Sequence, residues 1–350
     1  MHAERNPGKE RPLDHCLSVL VSPACGERAR AKIYPVMRKG YKPCSRQHVR
    51  LKTPLFVVED VEAAKRIIRE LGEECSTTVE VVEVCCRRIF REAPPRSYVT
   101  IGPAAIVSID VERKPLDYWR SIARSLLDTV PGIRAVYGKV QTRGRHRVPE
   151  LVHLAGEELS EVIHVEYGIK FLVPLGRVYM NPRLASEHER LSRRVKEAEI
   201  VLDMFAGAGG FTLHIAAKGK AKLIVANDIN VHATRSLIHS MHLNEGRLAT
   251  PIVVVNSDAR LLPRLLPPIF TRIIMDLPHA SQNFLPHAYK LCSPRGCMIH
   301  LYRVGREERE VVSDLKLPAR LFIREVRRVL DYAPGKYIFR VDIEAGRVGD

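Results

Sequence analysis

Residues 203–210, DMFAGAGG, carry the clearest chemical signal in this chain. Gly207, Gly209 and Gly210 let a backbone turn tightly and come close to a ligand. Many nucleotide-cofactor folds share such a loop, so its neighbours decide what it binds. The next apolar run ends in Asp228, 21 residues after Gly207, where a carboxylate can accept both ribose hydroxyls. The third run ends in Asp258 of NSDAR, suited to an adenine amino group. The fourth ends in Asp276-Leu277-Pro278, at the edge where ligands bind in parallel sheets. Carboxylates after runs two and three, with a proline motif after run four, favour S-adenosylmethionine over a dinucleotide. AGAGG also lacks the GxGxxG spacing that cradles a pyrophosphate. S-adenosylmethionine is therefore the expected cofactor, with Phe205, Gly207, Asp228, Asp258 and Asp276 among its contacts. Strand capping is the plainer alternative for Asp228 and Asp258, and Asp203 reads as a structural partner of the loop amides.

Those side chains can meet only if short strands set them along one edge. From about Leu184, apolar runs and helical segments alternate. Strands are expected at 200–206, 223–228, 252–258, 272–278 and 297–304, apolar as strands buried on both faces must be. Helices are expected in FTLHIAAK, VHATRSLIHSMHLN, ARLLPRLL (interrupted by Pro263), NFLPHAYKLC and REEREVVSDLK. FIREVRRVLDYAPGKYIFRVDI reads as two strands about a Pro-Gly turn. Repeated βα units predict an α/β, doubly wound sheet, and the terminal antiparallel hairpin is the finish of a class I, Rossmann-like methyltransferase domain.

Two small α+β domains are expected ahead of it. The double proline of REAPPRS, residues 91–97, marks the first boundary, giving domains at 1–93, 94–183 and 184–350. In the first, LSVLVSP, HVRLKTPLFVVE and VEVVEVCC read as strands, ERARAKIYPVMRK as a basic helix, and VEAAKRIIRELG as an amphipathic helix. In the second, YVTIGPAAIVSID reads as two strands about a Gly-Pro turn and PLDYWRSIARSLLDTV as a helix. GIRAVYGKV, ELVHLAGEE and EVIHVEYGIKFLVPLG supply further strands.

Lys and Arg number 56 against 40 Asp and Glu, a net +16, which points to a polyanionic partner, nucleic acid first. No stretch approaches the roughly 20 apolar residues of a membrane span, and the polar N-terminus lacks a signal-peptide core. A cytoplasmic protein without membrane attachment is expected. The eight cysteines form no CxxC pair, and no cluster has metal-ligand spacing, so no metal is expected. The cysteines read mostly as small buried residues, with a Cys292–Cys297 disulfide unsupported.

GKVQTRGRHRVPELVHLAGEE, RVYMNPRLASEHERL, VLDMFAGAGGFTLHIA, VANDIN, NSDAR, MDLPHAS and DYAPGKYIFRVDI follow one another in this order. Over roughly residues 100–345 the chain thereby resembles the archaeal and eukaryotic tRNA (guanine-N1)-methyltransferases that act on guanosine 37. The first ninety residues resemble that family's N-terminal tRNA-binding domain only loosely, through CLSVLVSPACGERARAKI. The resemblance implies methyl transfer to N1 of guanosine 37, a tRNA partner, no obligate protein partner and a monomer. It puts Glu187 at the general base, Arg147 at a contact to guanine O6, and Tyr179 and Pro278 in the active-site lining. It also puts His188, Asp228, Ile229, Asp258 and Ala259 at cofactor contacts. One departure stands out: the family has Asn-Leu-Pro after the fourth strand, where this chain has Asp276-Leu277-Pro278. An amide both donates and accepts, while an ionised carboxylate only accepts. Asp276 could hold the methionine ammonium, or mark an altered substrate range. Relatives in the wybutosine pathway, which methylate imidazoguanine at C7 or transfer an aminocarboxypropyl group, are the alternative reading.

The chemistry fits these residue types. Guanine N1 carries a proton at neutral pH, so methylation there calls for a base at N1 and a positive group at O6. General-base help is typically worth about 10²–10⁴-fold, and an electrostatic clamp about 3–4 kcal/mol. Lys139, Arg143, Arg145, His146 and Arg147 read as an RNA backbone clamp. Tyr118 and Trp119 read as core, and His279 and His287 as surface, with His279 near the pocket rim.

Overall fold

The computed structural model describes residues 14–20, 41–43, 55–58, 62–63, 66–67, 69–70, 80–88, 98–143, 148–315, 317 and 320–346. They fall into two compact units, 1–95 with 117–131, and 96–116 with 132–350. The basic segment ERARAKIYPVMRK lies outside the described residues.

In the first unit, β1 (Asp14–Leu20), β2 (Tyr41–Pro43), β3 (Leu55–Val57) and β4 (Glu80–Arg88) form an antiparallel sheet in the order β2-β4-β1-β3. Cys16 lies opposite Val84 in its central pair. Helix α1 (Leu116–Thr129) buries Ile122, Ala123 and Leu126, one stripe at helical spacing. Tyr118 and Trp119 are half-buried rather than core and pack edge to face, ring centroids 5.2 Å apart.

The second unit opens with β5 (Val99–Ile101), β6 (Ala104–Ser108), β7 (Ala135–Arg143) and β8 (Val148–Gly156), paired in that order. The hairpin of β9 (Glu161–Glu166) and β10 (Ile169–Pro174) follows, turning at Tyr167-Gly168. The seven-stranded sheet comprises β11 (Ile200–Asp203), β12 (Leu223–Asp228), β13 (Ile252–Asn256), β14 (Arg272–Met275), β15 (Cys297–Gly305), β16 (Leu321–Ala333) and β17 (Lys336–Ala345). Its order is β13-β12-β11-β14-β15-β17-β16, with β11–β15 parallel and β17 antiparallel to both neighbours. The connecting helices are α2 (Ala185–Ser192), α3 (Gly210–Lys218), α4 (Val231–Leu243), α5 (Leu262–Leu265), α6 (Leu285–Leu291) and α7 (Glu308–Ser313). Pro263 limits α5 to one turn. Pro286 sits in the first turn of α6, where a missing N–H costs nothing.

Successive strand residues point to opposite faces. Leu202, Ile273 and Met275 therefore join one core, while Val201 and Ile274 join another with Phe211, Ile215 and Tyr302. A third core joins the segments on either side of residue 183: Ile101, Ala104, Ala135 and Phe171 pack with Ala206, Leu213, Ala226 and Leu237. The β9–β10 hairpin is fixed to α4 as well. The Leu172 amide donates to Ser240 Oγ at 2.9 Å and the Lys170 amide to Asn244 Oδ1 at 3.0 Å, which occupies an edge that would otherwise be open. Cys292 and Cys297 are free thiols, both buried. Among the described residues, no helix is long and apolar enough to cross a membrane.

Candidate active site

The carboxyl ends of β11, β12, β13 and β14 open into a cavity of about 310 Å³. The loop after β11 enters α3 through Gly209 at φ +93°, a left-handed conformation that disfavours a side chain. A Cβ on Gly209 would come within 2.4 Å of Leu237 Cδ1, so any other residue there requires that side chain of α4 to shift. Asp228 ties this loop to the next strand: its Oδ2 accepts the Gly207 amide and its Oδ1 the Asn230 amide, both at 2.8 Å. Asp258 accepts from the Arg260 amide and Nε at 3.0 Å and from Nη2 at 2.6 Å.

Of the residues expected at the cofactor, Phe205, Gly207, Asp228, Ile229, Asp258, Ala259 and Asp276 line this cavity, as do Tyr179 and Pro278. Lys139, Asn227, Phe284, His279, Tyr332 and Ile338 complete much of the wall. Sequence reading missed Tyr332 and Ile338, which come from the terminal hairpin; only the Pro-Gly turn between them hinted at it. His279 is exposed, lines the cavity and meets the Tyr332 hydroxyl at 2.9 Å. His287 is partly buried, not on the surface. Arg147 lies outside the described residues, as do Arg145, His146 and the side chain of Arg143.

Two carboxylates here have no cation beside them among the described residues. Asp203 Oδ2 accepts from Thr212 Oγ1 at 2.7 Å, but its buried Oδ1 has no hydrogen-bond partner among the described residues. Asp276 Oδ1 is likewise buried and unpartnered among the described residues. Burial first, then Asp228 after Thr212's opposing hydrogen bond, holds Asp203 up at about 7. Burial first, then Asp203 and Glu187, pushes Asp276 up to about 7. A cavity whose wall holds a carboxylate with no cation beside it, Asp276, backed by the buried Asp203, suits a ligand bringing positive charge. S-adenosylmethionine brings a sulfonium and an ammonium together with a nucleoside for Phe205, Ile229 and the Asp228 end, so the residues present fit it.

Glu187 and His188 do not line the cavity. Glu187 is fully buried. Its Oε1 accepts from Arg340 Nη1 at 2.5 Å and the Tyr302 hydroxyl at 3.0 Å, and its Oε2 from Arg190 Nη1 at 2.6 Å. Arg340, itself fully buried, also donates through Nε to Asp342 Oδ1 at 2.7 Å, and that oxygen meets His300 Nδ1 at 2.6 Å. Burial raises the Tyr302 hydroxyl well above its ordinary value. His188, implied as a cofactor contact, turns instead to Glu166, Nδ1 to Oε2 at 2.9 Å, because its ring is packed under the glycine loop. A Cβ on Gly210 would stand 2.4 Å from His188 Cε1. Burial lowers the His188 imidazole. Glu166 also meets His214 Nε2 at 3.2 Å, and one ligand atom from each of Glu166, His188 and His214 falls within 4.8 Å of the others. The sequence showed no such cluster because its members come from three elements with no motif spacing.

The strand order, the glycine loop after the first strand of the sheet and the acid-bearing ends of the next two define a class I, Rossmann-like methyltransferase. Residues 162–326 match the TRM5/TYW2 methyltransferase domain, and residues 88–159 the TYW2 N-terminal domain. The tRNA (guanine(37)-N(1))-methyltransferase Trm5b of Pyrococcus abyssi is 33% identical over 296 residues, covering 82% of this chain and 86% of its own. The tRNA 4-demethylwyosine(37)-methyltransferase Taw21 of Saccharolobus solfataricus is 31% identical over 250 residues, 70% of this chain and 92% of its own. The solved complex of aTrm5 and tRNALeu superposes with a TM-score of 0.65 at 27% identity, covering 96% of this chain and 100% of that one. The chain belongs to the TRM5/TYW2 methyltransferase family. It is an S-adenosylmethionine-dependent methyltransferase.

Proposed function

We propose that this protein transfers a methyl group to N1 of guanosine 37 in tRNA, acting as a cytoplasmic monomer. The observation that carries this reading is the cavity itself, which sets a nucleoside-binding edge and an unneutralised carboxylate side by side. The likeness to Trm5b over most of both chains and the +16 charge support it. When bound, S-adenosylmethionine supplies a methyl on a sulfonium that needs no further activation.

The chain's own residues have the remaining tasks. Asp228 and Asp258 hold the edge on which a nucleoside lies, and Phe205, Leu277, Pro278 and Phe284 keep water from it. A base inside a stem-loop must turn outward to reach them. Arg147 is the proposed partner of O6. Glu187 is the base implied by the resemblance; to accept a proton in the cavity it would have to leave Arg340, Tyr302 and Arg190. The wybutosine-pathway reading is supported by the 31% identity to Taw21 and by the match of residues 88–159 to the TYW2 N-terminal domain.

Incubation of the purified protein with labelled S-adenosylmethionine and guanosine-37 or adenosine-37 transcripts, followed by nucleoside mass analysis, tests the proposal. N1-methylguanosine from the first transcript alone is expected. Methylation of neither overturns it. Product formed only on tRNA carrying the tricyclic precursor moves the assignment to the second reading.

A further inference from the structure

Glu166 closes β9, is buried, and meets no lysine or arginine among the described residues. Three imidazoles stand round it instead. His188 Nδ1 on α2 and His214 Nε2 on α3 converge on the same oxygen, Oε2, at 2.9 and 3.2 Å. His164 Nε2 lies 3.4 Å from Oε1, which is buried without a hydrogen-bond partner among the described residues. Burial opposes the charge on Glu166, yet the imidazoles hold its carboxyl well below the usual carboxylate range. A buried carboxylate that stays ionised needs positive charge beside it.

Protons alone serve this cluster badly. His214 is fully buried and faces a carboxylate on each side, Glu166 at Nε2 and Glu189 at Nδ1, the latter at 3.4 Å. A neutral ring carries one proton, so one of its nitrogens would turn a lone pair onto an acid. Glu189 already has cations of its own, Lys218 Nζ at 2.8 Å and Arg193 Nε at 2.9 Å. A dication at the meeting point removes the conflict. Each imidazole then gives the ion the lone pair of the nitrogen facing Glu166 and keeps its proton on the other. For His214 that other nitrogen is the Nδ1 facing Glu189, the carboxylate–imidazole–metal chain that orients metal-bound histidines.

The geometry is close to what such an ion requires. Zinc bonds of about 2.0–2.2 Å to nitrogen and oxygen put tetrahedral donors roughly 3.2–3.5 Å apart. One donor atom from each of the three residues lies within 4.8 Å of the others. Phe171 stacks against the His214 ring and Phe211 meets His188 edge to face, which holds both rings toward Glu166. Two imidazole nitrogens and the two oxygens of Glu166 make a nitrogen–oxygen set that suits zinc. We propose that Glu166, His188 and His214 hold a structural divalent transition metal, zinc by their donor set. The ion staples the β9–β10 hairpin, α2 and α3 together beneath the glycine loop, and enters as these elements fold round it. None of the three residues lines the cofactor cavity, so the site stands apart from the question of which base is methylated.

The untagged full-length protein, purified without chelator, is tested for metal by inductively coupled plasma mass spectrometry and for its donors by X-ray absorption. About one zinc per chain is expected, bound by nitrogen and oxygen with imidazole scattering. Stripped protein reloaded with cobalt(II) should show the visible bands of a tetrahedral site. Zinc at about a hundredfold above its dissociation constant should raise the melting temperature of stripped protein by roughly 5 °C. His214→Gln and Glu166→Gln should each lose the metal, the cobalt bands and the zinc-dependent shift. His242→Gln, at an exposed histidine–glutamate pair, should keep all three. Circular dichroism shows which variants fold, and the wild-type measurements decide the matter where a variant does not. Wild type that carries no transition metal, and whose melting neither zinc nor cobalt changes, overturns the proposal and leaves protons to neutralise Glu166. Sulfur among the donors, or metal kept by folded His214→Gln and Glu166→Gln, overturns it as well. None of these readouts requires methylation, so their failure leaves the guanosine-37 reading where it stands.

Discussion

Asp276 makes a pH signature for the ligand-free protein that is readable without any assay of activity. Its folded value, about 7, lies above the ordinary carboxylate value of 3.8. The native state therefore holds a proton that the unfolded chain has released between roughly pH 4 and 7, and stability falls as pH rises through that window. A rise from 3.8 to about 7 caps the effect at about 4 kcal/mol. Asp276→Asn should reduce this slope to the part that Asp203 contributes and raise the melting temperature at pH 8 more than at pH 5, measured by scanning calorimetry. An equal change at both pH values would refute the assignment of charge. The buried pair of Arg340 and Glu187 makes the opposite kind of statement. Arg340→Ala leaves a buried carboxylate without its main counter-ion and should cost about 3–5 kcal/mol in denaturant unfolding. These residues also show what sequence could and could not reveal. Asp228, Asp258 and Asp276 were legible because each ends an apolar run. The Glu187–Arg340 pair was not, because its members are 153 positions apart and no local pattern marks them.

Secondary elements were read more easily than their packing. The strand 223–228 coincides with β12, and FTLHIAAK is all but the first residue of α3. Buried parallel strands write themselves as apolar runs. The expected strand at 272–278 shortens to β14, because Asp276-Leu277-Pro278 turns away into the cavity rim. EVIHVEYGIKFLVPLG splits into β9 and β10 at Tyr167-Gly168, both with positive φ. The loop between β11 and α3 carries its own test. Gly209→Ala forces a Cβ into left-handed backbone against Leu237 and should cost about 1–3 kcal/mol of stability. Cofactor affinity, measured by calorimetry, should fall with it; an unchanged affinity would mean that the loop relaxes freely.

At the scale of the molecule, charge governs the encounter with substrate. The surplus of 16 positive charges predicts that tRNA affinity falls linearly on a log–log plot against salt. About six phosphate contacts would cost roughly a thousandfold between 50 and 200 mM salt, measured by filter binding. A flat salt profile would place recognition elsewhere than on the phosphate backbone. Composition announced this charge, but not that the sheet of β5–β8 and the seven-stranded sheet would share a core, since Ala104 and Leu237 belong to distant segments.

The position of β17 has a last consequence. It fills the gap between β15 and β16, carries Ile338 to the cavity and brings Arg340 to Glu187. On the ribosome, the first five strands of this sheet are complete some thirty residues before that keystone is synthesised. A nascent chain accordingly cannot complete the wall of this cavity until β17 has emerged and paired between its two neighbours.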